Sequence, residues 1–293
     1  MGLIVFGGSC HDTERLAPPQ KHTPDIETML SQWYNPFDKL EVYGAWGYQI
    51  VVHISVIIPA HNEEKYIERC IKSIKKSAKQ FQGKVEIIVV CNRCTDRTAE
   101  IAKSNGANVV FNEDRCIAKV RNAGIAIANG KIIVTIDADN RMTKGTLVEI
   151  YNLLRTGKYI GGGAPIRFER YSFPLWCNDI LCRISFGVTG LYSGIFWAEK
   201  DTFEAIGGFV EQKAMEDVAT AKMLKKYGKR QGKKYTTLRN NYLINSTRKY
   251  DDLGDWLYFK LIFQNIGTLL KAAMGDRTGI DKLLDEMFYE YND

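Results

Sequence analysis

Three short apolar runs, "ISVIIP" at 54–59, "VEIIVV" at 85–90 and "KIIVTI" at 131–136, each stop abruptly at a polar cluster. Runs of this length, β-branched and apolar at consecutive positions, read as strands buried on both faces, which is the pattern of a parallel sheet. Between them lie helical segments. In "EEKYIERCIKSIKKSAK" the residues Tyr66, Ile67, Cys70, Ile71 and Ile74 share one face; a second helix is expected from about Thr95 to Ser104; "AKVRNAGIAIANG" is a third, with Gly130 as its expected C-cap. "ANVVF" adds a short strand between the last two helices. Strands alternating with helices in this way imply an α/β layered sandwich with a mostly parallel central sheet and right-handed crossovers. "HNEE" at 61–64, "CNRCTD" at 91–96 and "DADN" at 137–140 each begin where such a strand ends. The carboxyl ends of parallel strands share one edge of the sheet, where open α/β sheets bind ligands. The three clusters are therefore expected to converge.

The 293 residues suit one large domain or a domain with an appendage. The expected division is an N-terminal extension over 1–52, Pro-rich in "RLAPPQKHTPD" and aromatic in "QWYNPFDKLEVYGAWGYQ", an α/β domain over 53–240, and a C-terminal helical segment over 241–293. A net charge of +6 suits anionic ligands or a membrane surface and is too small to argue for nucleic acid, so no nucleic-acid partner is expected. Seven scattered cysteines, an odd number without framework spacing, point to reduced thiols in a cytoplasmic setting. "GLIVFGG" at the start is too short for a signal sequence. The apolar run 256–274 is interrupted by Lys260, Gln264, Asn265 and Lys271, which argues against a membrane span of about 20 apolar residues. An amphipathic helix is expected there, packed on the protein in preference to lying on a bilayer.

In "IDADN", Asp137 and Asp139 are alternate residues at a strand end and can face the same way. Two such carboxylates suit a hard divalent cation, Mg²⁺ or Mn²⁺, which completes its shell with substrate phosphates. The plainer reading is an Asp cap beside a turn residue. "PAHNEE" turns at Pro59 and presents His61, Asn62, Glu63 and Glu64, where Asn62 also suits a helix N-cap. No dinucleotide or P-loop glycine motif follows any strand, and "GGGAP" at 161–165 has the wrong spacing for either. Cys91 and Cys94 form a C-x-x-C, the spacing of half a zinc knuckle or a redox dithiol, but no second pair with knuckle spacing exists.

Taken in order, "ISVIIPAHNEEKYIERCIKSI", "EIIVVCNRCTDRT", "AKVRNAGIAIANGKIIVTIDADN" and "IGGFVEQKAMEDVATAKMLKKYG" resemble the successive motifs of family 2 glycosyltransferases, over residue 54 to about 230. The resemblance implies a GT-A fold, a nucleotide-sugar donor, a metal-binding D-x-D and transfer with inversion at the anomeric carbon. Pro59, Ala60, His61, Asn62 and Glu63 match the loop that contacts the nucleoside, with His61 where Tyr is common. Val90 to Thr98 match the second nucleotide loop, so Asn92 falls on the donor and Cys91 and Cys94 take the places of an acid and a Ser. Asp137 and Asp139 match the D-x-D, Asp139 being the closer metal ligand. "MEDVATAKML" matches the motif whose Asp, here Asp217, acts as general base, with Glu216 and Glu211 on the acceptor side. Lys119, Arg121 and either Arg248 or Lys249 are the cations expected to help stabilise the leaving diphosphate. Seven cations and no acids occupy 222–234, a solvated face or a patch for anionic lipid or an acidic acceptor.

The expected function is a metal-dependent inverting glycosyltransferase that moves a sugar from a nucleotide-diphosphate donor to an acceptor hydroxyl or lipid phosphate. Peripheral contact with a membrane is compatible with it. The alternatives are a sugar nucleotidyltransferase, which would want a Gly- and Arg-rich loop after the first strand, and a catalytically silent nucleotide-sugar-binding relative. Nothing in the sequence selects the sugar, the base, or a glycan, lipid or small-molecule acceptor.

Overall fold

A computed structural model describes residues 52–191, 194–212, 216–265 and 267. Residues 1–51 of the expected extension, and the part of the 256–274 helix beyond 267, lie outside the described residues. The chain builds a seven-stranded sheet in the order β3-β2-β1-β4-β8-β6-β9. Its first half is the half foreseen. β1 (Val52–Ala60) lies between β2 (Lys84–Asn92) and β4 (Ile132–Ile136), parallel to both, and β3 (Asn108–Asn112) extends the sheet beyond β2. The helices α1 (Ile67–Ala78), α2 (Thr98–Ser104) and α3 (Ile117–Ile127) connect them.

The alternation of side chains along β1 splits the core into two layers. Val56 and Ile58 pack with Ile67, Ile71 and Ile74 of α1 on one face. Ile57 packs on the other, with Ala118 and Ile125 of α3 and with Phe196, Phe203 and Phe209. Burying each large aliphatic or aromatic side chain contributes about 1.5–3 kcal/mol, so both layers fix the ends of β1, β2 and β4 firmly. Gly130 is not the C-cap of α3. The helix gives way at Ala128 to extended backbone, and Gly130 has no Cβ because one there would lie 2.5 Å from the Ser55 amide nitrogen.

The second half mixes directions. β8 (Ile195–Glu199) runs antiparallel between β4 and β6 (Tyr159–Gly163), and β9 (Lys234–Thr237) closes the edge parallel to β6. This explains the "GGGAP" glycines: a Cβ on Gly162 would sit 2.1 Å from the Thr236 carbonyl oxygen, so they serve strand approach. α4 (Thr146–Arg155), α5 (Phe173–Thr189), α6 (Lys200–Ile206) and α7 (Glu216–Arg230) complete the layers. A separate small sheet joins β5 (Arg141–Met142), β10 (Leu243–Asn245) and β7 (Ile166–Phe168), with β10 in the middle. It ties the chain around 243–245 to the residues just after β4, and so plants α8 (Arg248–Leu253), followed by α9 (Leu257–Gln264), near the sheet's ligand edge.

Candidate active site

Among the described residues only Asn62 and Arg93 combine a side chain with positive φ, 52° and 47°. They sit in the loops after β1 and β2, and such backbone is stable only where its surroundings fix it. The two loops are laced together. Asn62 does not cap α1; its Oδ1 accepts from the Thr95 amide at 2.8 Å. The amide of Glu63 donates to Thr98 Oγ1 at 2.7 Å, and that of Glu64 to Asp96 Oδ2 at 3.0 Å. His61 Nδ1 lies 2.7 Å from the Asn92 carbonyl oxygen. A carbonyl only accepts, so Nδ1 carries the proton of this bond and Nε2 is the ring nitrogen left outside it. The Asn92 amide group is spent within the protein, donating to Asn112 O at 3.0 Å and to Asp114 O at 2.7 Å. Cys91 is buried, and Cys94 Sγ lies 3.3 Å from the Ala60 carbonyl oxygen. The thiols thus belong to the seam between the loops.

Two guanidinium groups organise the carboxylates. Arg121 of α3 is 4% exposed. Its Nη2 donates to Asp137 Oδ1 at 2.8 Å, and its Nη1 to Glu216 Oε1 at 2.9 Å and Asp217 Oδ1 at 3.0 Å. Burial works against that charge, and Asp217, Asp137 and Glu216 outweigh it. Arg248, at the start of α8, donates through Nη1 to Glu63 Oε2 at 2.8 Å and pairs through Nε with Asp139 Oδ2 at 3.2 Å. Arg248 and Arg69 both lie over the Tyr66 ring, at 5.3 Å and 4.6 Å from its centroid. Arg69 also donates to the Asp139 carbonyl oxygen at 3.3 Å, and Asn140 Oδ1 accepts from the Ser246 amide at 3.0 Å.

The first and third strand-end clusters therefore meet, joined by the acids of α7 and the cation of α8. The second cluster touches the first loop and stands outside the carboxylate group. Lys119 stands outside it too, 3.5 Å from Asp114 and half exposed. Glu211 is exposed, and residues 213–215 just after it lie outside the described residues. Tyr66, Arg69 and Asn140 are positioning residues that the sequence reading did not assign. Asn140 belongs to the quoted "DADN", and its polarity after a strand was the one available signal.

Burial raises several of these acids. Glu63 is pushed up to about 7 by burial against the pull of Arg248. Asp217 is pushed up to about 7 by burial against the pull of Arg121. Asp139 is also raised, first by burial. Burial, and then Arg248, lowers Lys249.

Five carboxylates, Glu63, Asp137, Asp139, Glu216 and Asp217, face three cations, Arg121, Arg248 and Lys249, so with every group ionised the balance is two negative charges. That excess matches one divalent cation. The ion pairs engage Oδ1 of Asp137 and Oδ2 of Asp139, which leaves the second oxygen of each outside them. Among the described residues no group of three or more metal-ligating side chains exists. Two hard carboxylate donors, with the shell completed by phosphate oxygens and water, is the arrangement expected for Mg²⁺ or Mn²⁺ beside a diphosphate. The residues present fit such a cation.

Residues 55–225 match the model of glycosyl transferase family 2, more than half of the chain. The chain is 31% identical over 104 residues to the glycosyltransferase GlyG of Streptococcus pneumoniae, which is 33% of this chain and 34% of that protein. It is 27% identical over 165 residues to a low-salt glycan biosynthesis hexosyltransferase of Haloferax volcanii, 52% of this chain and 40% of that protein. The matches thus span well under half the length of these relatives. Among solved structures, S. aureus TarS superimposes with a TM-score of 0.52 at 19% identity, covering 68% of this chain and 61% of that one. A mannosyltransferase of Pyrobaculum calidifontis in complex with GDP-Man and Mn²⁺ gives 0.52 at 20% identity, covering 66% and 56%. At those identities the likeness shows the fold alone. The chain belongs to glycosyl transferase family 2 and has a GT-A fold.

Proposed function

We propose that the chain is a metal-dependent, inverting glycosyltransferase that moves a sugar from a nucleotide-diphosphate donor to an acceptor oxygen. One observation carries the reading: a single buried guanidinium, Arg121, grips Asp137 of the D-x-D and Asp217 of α7 together. The acid of the donor side and the base of the acceptor side thus stand one guanidinium apart. The donor class is supported by relatives in fold: TarS was solved with UDP-GlcNAc, at a TM-score of 0.51, and the mannosyltransferase with GDP-Man and Mn²⁺.

Asp217 accepts the acceptor's proton as its oxygen attacks the anomeric carbon. Held near neutrality by burial, it is ionised in a large fraction of molecules at pH 7 and is still basic enough to take a proton. Arg121 is a positioning residue in this scheme. With its Nη atoms taken by three acids, it orients Asp217 and leaves the diphosphate to Arg248, a quarter of whose side chain is exposed. Asp137 and Asp139 would hold the divalent cation, which supplies Lewis-acid neutralisation of charge on the leaving diphosphate. His61 Nε2 and the loop Pro59–Ala60 face the nucleoside in this reading, and Glu63 fixes Arg248. For the acceptor, a lipid phosphate is supported by a relative 32% identical over 94 residues, the undecaprenyl-phosphate 4-deoxy-4-formamido-L-arabinose transferase of Proteus mirabilis.

The test is nucleotide release from a panel of UDP-, GDP-, CDP- and dTDP-sugars with Mn²⁺ or Mg²⁺, run beside Asp139→Asn, together with donor binding. One donor released only with metal, and lost in the variant, is the expected result. Failure of every donor both to bind and to release in the presence of metal contradicts the reading.

A further inference from the structure

The inner face of the first half of α5 is packed against the protein. Leu175 is buried with Phe168 and Tyr250, Asp179 is buried, and Asn178 Nδ2 donates to Tyr250 Oη at 2.7 Å. Among the described residues, the outer face presents exposed apolar side chains. Phe173, Trp176, Ile180 and Ile184 are 68%, 53%, 36% and 59% exposed, at steps of three and four residues that keep them on one stripe. Trp256, 58% exposed, extends the stripe, its ring 6.5 Å from that of Phe173. Single exposed apolar side chains are ordinary; a contiguous stripe that includes two tryptophans marks an interaction surface.

The acids beside the stripe are each paired with an arginine, as Asp179 is with Arg183, whereas Arg167 has no acid partner among the described ion pairs. Arg167 and Arg183 border a cleft of about 360 Å³ that also meets Tyr171, Trp176 and Ile180. Arg167 is exposed and stacks on Tyr242 at 4.2 Å, while Arg183 reaches over buried Asp179 at 2.7 Å with 57% of its side chain exposed. At the far end of α5, Lys225 Nζ donates to the Thr189 carbonyl oxygen at 3.1 Å, which brings the cation-rich helix α7 alongside. The nearby acids Asp251 and Asp255 are both engaged by Arg170.

We propose that this face docks on an anionic lipid bilayer, α5 lying in the interface with its stripe at the acyl boundary and Arg167 and Arg183 among the headgroup phosphates. Aromatic and aliphatic side chains flanked by Arg and Lys are the composition such interfaces select. A second copy apposed on the same face would set Arg167 and Arg183 against their own kind, which disfavours that occupant. The placement serves the site. Tyr250, which grips the inner face of α5, belongs to α8, the helix that begins at Arg248, so a bilayer seated on α5 lies one helix layer from Asp139. The proposal deepens the transferase reading by naming the surface where an amphiphilic acceptor is met. Vesicle binding needs no turnover, so the two readings fail separately.

The experiment is flotation of the full chain with vesicles of phosphatidylcholine alone and of phosphatidylcholine with roughly a third phosphatidylglycerol. Binding to the anionic vesicles, weakened by salt and weak on the neutral ones, is expected. Trp176→Ser combined with Ile184→Ser should lower that binding about tenfold or more. Arg167→Gln should lower it several-fold, and Phe111→Ser, at a 62% exposed position on β3, should leave it unchanged. All four positions are exposed, and melting curves confirm that the variants fold. No vesicle binding by the full chain overturns the proposal, as does wild-type binding by the double variant. A lower melting temperature of that variant, with no vesicle binding by the unaltered chain, would assign the stripe to another segment of this chain. A dimer lost in the variant, with vesicle binding intact, would assign it to a second copy. Either outcome also overturns the proposal.

Discussion

Arg121 and Arg248 each bind carboxylates of the same site, and they do so under opposite conditions. Arg121 is nearly sealed from solvent and holds three acids from two distant stretches of chain. Arg248 holds two, keeps 26% of its side chain exposed, and enters on the small sheet. A buried charge is tolerated only with its partners in place. Arg121 is therefore a fixed part of the fold that happens to orient Asp217. Arg248 can exchange its acids for another anion while its own charge stays partly solvated, and Glu63, already raised by burial, can take up a proton when released, which suits a residue that meets substrate phosphate.

That contrast predicts graded effects. Arg121→Met strands three acids around an apolar side chain and should cost about 3–5 kcal/mol in urea unfolding, with loss of transfer as a consequence. Wild-type stability in that variant would refute the structural role. Arg248→Gln should leave the urea midpoint nearly unchanged while weakening metal-dependent donor binding by roughly ten- to a hundredfold, the scale of one or two charged hydrogen bonds. A large loss of stability with donor affinity retained would reverse the assignment of the two arginines.

The pH dependence comes next in size. Glu63 and Asp217 both titrate near 7 in the folded protein, against 4.5 and 3.8 as ordinary values. The folded state therefore binds more protons than the unfolded state between about pH 4 and pH 7, and stability falls as pH rises through that window. The penalty is absent below it and complete above it. The urea midpoint should drop between pH 5 and pH 8, and Asp217→Asn should flatten the drop. Added Mg²⁺, held by Asp137 and Asp139, should restore stability more at pH 8 than at pH 5, because the neighbouring Glu63 and Asp217 are ionised there and the cation offsets their charge. The smallest expected effect is Asn140→Ala. It removes the hydrogen bond that holds the Ser246 amide, and should cost about 1 kcal/mol together with a several-fold rise in donor KM.

The readable half of the molecule is the half built from local pattern. β1, β2 and β4 are runs of β-branched residues long enough to announce themselves, and their polar ends name Glu63, Asp137 and Asp139 directly. Arg248 meets Glu63 across 185 positions of sequence. That meeting depends on β5, β7 and β10, strands of two or three residues too short to show any period. Arg121 was visible as a cation on a helix, but its burial was not, because a lone Arg on an otherwise apolar face carries no mark of the acids that neutralise it. Gly130 shows the same limit. Its position after a helix suggests a cap, whereas the Ser55 backbone, 75 residues earlier, is what requires it.

The most direct test of the central claim is Asp217→Asn, assayed for donor binding and for transfer in the same preparation. Asn keeps the shape and an acceptor oxygen for Arg121 but cannot take a proton. Unchanged metal-dependent donor binding with transfer reduced about 10²- to 10⁴-fold is the predicted result. Transfer at the wild-type rate would contradict the account, because the proton of the acceptor would then have left by another route.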